Sequence, residues 1–227
     1  SESSDQAQFS EAHTFTGSLI PKLQRHPKRI VFTDGADERV LRVAARMVKD
    51  EVGIPILLGD REQILSLARE HGIGLEFVKV LEPEKAGDFD VFCEFLKRTE
   101  HVRGVEVSNA AEILRQPAYF GAMMIQYGQA DGLVGGNLSY PSSIFRSLLH
   151  LVKPVPTVPR VFSVAILSAP HLAHFGREGI LFLADCGLNE ELSSEQLAAI
   201  AVETGNLARI YFGRRPRVAL LSHSTKG

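Results

Sequence analysis

The stretch "RIVFTDGADERVLRVAARMVKDEVGIPILLGD", Arg29 to Asp60, decides the fold. It opens on a short apolar run that reads as a strand. After Asp34 and Gly35 the period changes, and from Glu38 to Lys49 the residues Val40, Leu41, Ala44, Ala45 and Val48 share one helical face. Asp34, Asp37 and Glu38 lie around the helix start, where carboxylates satisfy free N–H groups and oppose the positive end of the dipole. The stretch closes on a second strand, "IPILLGD". Strand alternating with helix argues for a largely parallel sheet covered by helices on both faces.

The alternation continues outward. "REQILSLAREHG" is a helix closed by Gly72, "LEFVKVLEP" a strand and "DFDVFCEFLKRT" a helix. Ser108 is an N-cap candidate for a helix from Asn109 to Arg115, and Pro117 separates it from a second helix, Ala118 to Tyr127. "ADGLVGG" is a short strand ending in two glycines. "YPSSIFRSLLHLVK" is a helix with Pro141 in its first turn, where the missing N–H costs nothing. Prolines 154, 156 and 159 then rule out helix and mark a linker. Beyond it come the strands "VFSVAILSAP" and "GILFLADCGL", a helix opened by a Ser193–Gln196 capping box, and a buried strand "RVALLS". These divisions predict a polar, flexible segment over 1–16, an α/β domain over 17–153, a proline-rich linker over 154–160 and the beginning of a second α/β domain over 161–227.

Composition bounds the function. A length of 227 residues suits one large domain or two small ones, and a formal charge of −2 offers no global attraction to nucleic acid or anionic lipid. Cys93 and Cys186 fit no metal-ligand spacing and sit in apolar runs, so both are expected to be small buried hydrophobes. The beginning is acidic and polar rather than basic and apolar, and no apolar run approaches the roughly 18 residues that span a bilayer. A reduced, cytoplasmic protein is the expectation.

Two segments carry candidate chemistry. In "ADGLVGGNLSYPSSIFR" a strand ends at Val134, glycines let the backbone approach a ligand, and a helix follows that carries Arg146. Free N–H groups at such a helix end favour an anion, and an arginine can clamp a phosphate by two parallel hydrogen bonds. Gly136 and Asn137 would add backbone or amide contacts. The plainer alternative is a strand-to-helix turn with a solvated arginine. In the terminal "SHSTKG", the hydroxyls of Ser222, Ser224 and Thr225, the Lys226 ammonium and the Gly227 backbone suit a phosphate, or else form an ordinary surface turn. "VGGN" is no G-x-G-x-x-G fingerprint, and the residues before Lys226 lack Walker spacing. His171 and His174 have no third ligand and read as structural.

Four segments in chain order resemble the phosphate acetyl/butyryltransferase family. They are "RIVFTDGADERVLRVAARMV…PILLGD", "AAEILRQPAYFGAMMIQYGQADGLVGG", "FLADCGLNEELSSEQLAAIAVETGNLAR" and "PRVALLSHSTKG". The resemblance implies a two-domain α/β fold akin to isocitrate and isopropylmalate dehydrogenases, with the active site in the cleft between domains. It implies reversible acetyl transfer between acetyl phosphate and coenzyme A by direct thiolate attack. Coenzyme A is then a substrate, no metal or bound cofactor is needed, and a homodimer is expected. Arg146 matches an arginine the family uses near the acyl phosphate, and Ser222 to Gly227 match the start of its "S-x-S-T-x-G-S" loop.

In the family the chain continues by roughly a hundred residues, half a domain in size, carrying a serine–arginine pair and the aspartate that serves as base. This implies little activity for a chain that stops at Gly227. Glu100 stands where the family often has an arginine, which Arg98 or Arg103 would have to replace, and "GGNLSYPSS" departs from the usual "S-G-A-x-H-S-T". These departures leave room for a second reading, a non-catalytic module that senses acetyl-CoA, like the domain at the C-terminus of some malic enzymes. A third, a dehydrogenase of related fold, would need an NAD site.

Overall fold

The computed structural model describes residues 15–221, apart from 104–108, 157, 159, 170, 172 and 190. The chain divides into two compact units, one of Ser18–Lys153 and one that holds Pro154 onward together with the residues up to Gly17. A helix, α1, covers 15–25.

The first unit is built on four strands, β1 (Lys28–Phe32), β2 (Gly53–Leu58), β3 (Lys79–Leu81) and β4 (Gly132–Val134), in the spatial order β3-β2-β1-β4. All three pairings are parallel. Because side chains alternate across a strand, neighbouring apolar residues must enter opposite cores. On one face Phe32 and Leu57 pack with Val40, Leu41, Ala44, Ile64 and Ala68 of α2 (Glu38–Lys49) and α3 (Arg61–Glu70). On the other face Val31, Ile56 and Leu58 meet α4 (Phe89–Arg103), α5 (Ala110–Arg115), α6 (Pro117–Gln126) and α7 (Pro141–Leu151) through Phe92, Leu96, Leu114, Phe120, Met123 and Leu151. The Phe92, Phe120 and Tyr127 rings stack there at 5.2 and 5.0 Å. A parallel sheet with helices on both faces follows directly from strands that are apolar on both sides.

Local signals fix the helix ends. Asp37 caps α2 by accepting from the N–H of Arg39 and Val40 at 2.8 and 3.3 Å, while the Arg39 guanidinium returns to the same carboxylate. That guanidinium, first among the causes, holds the Asp37 pKa down to about 2. Asp60 caps α3. The cap of α5 is Asn109, whose side chain accepts from the Glu112 N–H at 3.2 Å, so the helix starts one residue later than the sequence suggested. Ser108 lies outside the described residues.

In the second unit the expected parallel arrangement gives way. β5 (Val164–Ser168) and β6 (Ile180–Ala184) pair antiparallel, with Val164 opposite Ala184 and Ser168 opposite Ile180. The connection between them carries no described helix, and a parallel crossover needs about a dozen residues or more, usually helical. Helix α8 (Ser194–Phe212) opens with the predicted Ser193–Gln196 capping box and closes on Gly213 in the left-handed conformation. Phe182 of β6 packs on Tyr211 and Phe212, as does Phe15.

Two further expectations are corrected here. Val218, Leu220 and Leu221 are exposed and join no ladder among the described residues, because β5 and β6 bond to each other and neither pairs with them. Cys93 is buried as expected, whereas Cys186 is exposed in the turn after β6, its thiol donating to the Leu183 carbonyl. No described helix is long and apolar enough to cross a membrane.

Candidate functional site

The order β3-β2-β1-β4 has one reversal. The chain moves outward from β1 through β2 to β3, then returns to place β4 on the other side of β1. At such a reversal, the loops leaving the carboxyl ends of neighbouring strands diverge and open a crevice, the usual ligand position in an open α/β sheet. The loops at this point are 33–37 after β1 and 135–140 after β4.

The ladder between the strands runs on into these loops, with the Thr33 N–H donating to the Val134 carbonyl at 3.0 Å. Gly135 follows immediately. A Cβ on it would collide with Thr33 Oγ1 and Ile144 Cδ1, so α7 packs against the strand end only because no side chain intervenes. Gly136 adopts φ +103°, a left-handed backbone that turns the chain toward α7. Thr33 itself is buried, and its hydroxyl has no hydrogen-bond partner among the described residues.

Sequence reasoning placed Asp34 at the start of α2. It lies instead across the switch point. Its carboxylate accepts from the Gly136 N–H at 2.8 Å and the Asn137 N–H at 2.9 Å, with the Ser139 hydroxyl at 3.4 Å. Asp34 is 8% exposed. The two backbone N–H groups expected to meet an anion are therefore already satisfied by an internal carboxylate. What remains of the expected contribution from Gly136 and Asn137 is the Asn137 side-chain amide.

Helix α7 begins with Tyr140 at the N-cap and Pro141 in its first turn, and no side chain caps it. The Ser143 N–H turns back to the Tyr140 carbonyl at 2.9 Å. The buried Ser147 hydroxyl bonds to the Ile144 carbonyl at 2.8 Å, so it is committed to the helix. Arg146, the residue before it, is exposed, and its side chain forms no ion pair or hydrogen bond with a described residue. The site thus offers an exposed cation on a helix whose start no side chain caps, which together favour an anion.

The other predicted residues fall elsewhere. Ser222, Ser224, Thr225, Lys226 and Gly227 lie outside the described residues. Arg98 is exposed on α4, and Glu100 and Arg103 lie on the same helix with side chains outside the described set. His171 and His174 assemble no metal cluster with other described residues, and the His174 ring stacks on Phe175 at 4.2 Å.

The second unit holds a feature the sequence did not announce. A cavity of about 330 Å³ lies between β6, α8 and residues 214–220, with Phe182, Leu197 and Ile200 among its apolar walls. Arg177, Arg214, Arg215 and Arg217 also line it. Arg177 pairs with Glu178 and stands 6.0 Å over the Phe212 ring. The loop beneath β6 is tied by Asp185, whose carboxylate takes the Ser163 N–H and hydroxyl, the Leu188 N–H and the Asn189 N–H and side-chain amide. Burial pushes this carboxyl upward, yet the hydrogen bonds outweigh it and hold the pKa at about 2.

With the geometry in place, comparison with known proteins is informative. Residues 14–227 match the family model described as phosphate acetyl/butaryl transferase. The phosphate acetyltransferase of Thermoanaerobacterium thermosaccharolyticum is 34% identical over 92% of this chain and 63% of its own length. That of Nitratidesulfovibrio vulgaris is 35% identical over 93% of this chain and 29% of its own. A phosphotransacetylase structure from Streptococcus pyogenes superposes with TM-score 0.83 at 31% identity, covering 95% of this chain and 63% of that one. The chain therefore spans less than two thirds of these relatives. By a match that extends over both compact units, it belongs to the phosphate acetyl/butyryl transferase family.

Proposed function

We propose that this chain serves the reversible transfer of an acetyl group between phosphate and coenzyme A: acetyl-CoA + phosphate = acetyl phosphate + CoA. The observation that carries the reading is the construction at the β1–β4 switch point, where a glycine loop leads into an uncapped helix bearing the unpaired Arg146. The family relationship supplies the reaction.

In this reading the CoA thiol gives its proton to a base, and the thiolate attacks the carbonyl carbon of acetyl phosphate. A C–S bond forms, negative charge develops on the carbonyl oxygen, and the C–O bond to phosphate breaks. The phosphate leaves as a dianion or monoanion, so a cation held near it lowers the barrier most where charge builds up. Arg146 does this by parallel N–H donors, with the Asn137 amide beside it. Ser222, Ser224, Thr225, Lys226 and Gly227 take the roles the family resemblance gives them, as further contacts to the substrates. The reading needs no metal or bound cofactor. It includes a two-lobed arrangement like that of isocitrate and isopropylmalate dehydrogenases, a homodimer and a cytoplasmic setting.

One observation favours a second reading. The Gly136 and Asn137 amides are spent on Asp34, which weakens the anion site and suits a module that senses acetyl-CoA without turnover. Measuring acetyl-CoA formation from acetyl phosphate and CoA separates the two. Phosphate-dependent turnover supports the transferase. Binding of acetyl-CoA with no phosphate-dependent reaction in either direction supports the sensor.

A further inference from the structure

We propose that Asp34 is a positioning residue for the anion site, one that holds the 135–140 loop in place and steers the bound phosphoryl group away from the loop amides and onto Arg146 and the first turn of α7. The inference rests on the acyl-phosphate reading above and assigns a specific part of that site to a residue outside its expected lining.

Three observations carry it. First, Asp34 joins two loops that are distant in sequence but adjacent at the switch point. Its donors Gly136, Asn137 and Ser139 lie 102 to 105 residues away. Second, Asp34 is 8% exposed, so water competes poorly with its bonds to the loop and the backbone is held firmly. Third, the bonded amides flank Gly136, whose left-handed φ of +103° sets the direction in which the chain enters α7. Fixing those two N–H groups thus fixes the start of the helix that carries Arg146.

The arrangement has a cost that makes the role testable. A buried negative charge beside an anion site repels the anion, so a structure selected only to attract phosphate would not place one there. Successive N–H groups and a hydroxyl converging on one carboxylate form the kind of donor nest that a phosphate would itself occupy. With Asp34 inside that nest, the phosphoryl group must bind elsewhere on the crevice, where the leaving-group oxygen can face the guanidinium.

Asp34→Ala removes both the charge and the one oxygen to which the Gly136 and Asn137 amides donate, and it separates two opposite effects. If charge alone mattered, losing the carboxylate would tighten acetyl phosphate binding. If positioning dominates, binding weakens about tenfold in spite of the lost repulsion, and hydrogen exchange at the Gly136 and Asn137 amides accelerates about tenfold or more. Calorimetric titration with acetyl phosphate and amide exchange read these directly. Asp34→Glu, which restores the charge with the wrong reach, stays weak. Acetyl phosphate affinity in Asp34→Ala that equals or exceeds the parent's overturns the positioning role and leaves the functional reading standing. Failure of the unsubstituted chain to bind acetyl phosphate at all overturns both. A measurement on the unsubstituted chain guards against a variant that does not fold: fast exchange of the Gly136 and Asn137 amides there would also sink the proposal.

Discussion

Arg29 and Asp131 lock the amino ends of β1 and β4 to one another. The Arg29 guanidinium donates to both Asp131 oxygens at 3.1 and 3.0 Å, and the Arg29 backbone N–H donates to the same carboxylate at 2.9 Å. At the opposite ends of these strands, Asp34 performs the corresponding service for the loops. The paired strands β1 and β4 are thus tied at both ends by a carboxylate.

This pairing has a definite pH dependence. The Arg29 side chain, then its backbone N–H, pulls the Asp131 pKa down to about 2. A carboxyl whose folded pKa is depressed contributes stability that is fully present above its unfolded value, about 3.9, and that fades as pH falls through the folded one. Asp131→Asn is therefore expected to lower the thermal midpoint at pH 6, by less at pH 3, and hardly at all near pH 2. Melting curves across that range check it. A gap between the two proteins that stays constant with pH would show that the ion pair is not the source. The pair is partly exposed, so the effect should also shrink in high salt.

The glycines after β4 do separate jobs, and substitution distinguishes them. Gly135→Ala places a methyl against Thr33 Oγ1 and Ile144 Cδ1, an overpacking expected to cost about 1–3 kcal/mol. Gly136→Ala has room but must hold φ +103°, a backbone penalty of about 1–3 kcal/mol. A double-mutant cycle adds the discriminating datum, since Thr33→Ala should recover part of the loss in Gly135→Ala and none of that in Gly136→Ala. Equal recovery in both, read by denaturant unfolding, would refute the packing account.

Much of the first unit was legible because its signals are local or carried by strands buried on both faces. Val31 and Phe32, or Leu57 and Leu58, are adjacent apolar residues that only a sheet covered on two sides can bury, and Asp37 and Ser193 announce their helices by short-range bonding. Direction was not legible. The period of β5 and β6 says strand, but only the short connection, which carries no described helix, makes them antiparallel. Asp34 was misplaced for an instructive reason: four residues before the first residue of a helix, a carboxylate that accepts N–H bonds looks like a capping group. Its true donors are set by the pairing of β1 with β4, which no local window contains. Cys186 was misread because the apolar run that precedes it ends at Ala184. In the candidate site, the strand-to-helix turn and Arg146 were legible as types, whereas the consumption of the loop amides was not.

Arg146 should matter to ligand binding and little to folding. It is exposed and pairs with no described residue, so Arg146→Ala is expected to leave the thermal midpoint within a degree or two. If it clamps the phosphoryl group by charge-assisted bonds worth about 1.5–3 kcal/mol, acetyl phosphate affinity falls roughly 10- to 100-fold. Arg146→Lys keeps the charge and loses the fork, and an intermediate affinity is expected. Unchanged acetyl phosphate binding in Arg146→Ala would remove this residue from the site.

The carboxylate of Asp185 organises the loop after β6 as Asp34 organises the one after β4. It gathers the Ser163 N–H and hydroxyl, the Leu188 N–H at 3.3 Å and the Asn189 N–H at 3.0 Å, while the Ser163 oxygen accepts the Cys186 N–H at 3.1 Å. Hydrogen bonds to a charged group contribute about 1.5–3 kcal/mol each when the partner would otherwise be left unsatisfied, but these donors are partly solvated. Asp185→Ala should therefore destabilise the second unit by roughly 2–3 kcal/mol, whereas Ser163→Ala, which removes one donor and one acceptor, should cost about half that. The pKa of about 2 fixes the sign with pH: the deficit of Asp185→Ala is fully expressed above the ordinary carboxylate range and closes as acid protonates Asp185 in the parent. Amide exchange resolved by segment reads the outcome, because protection lost across 163–189 with 28–134 untouched would locate the damage in the second unit. Uniform loss across both segments would mean that Asp185 supports the whole chain rather than this loop.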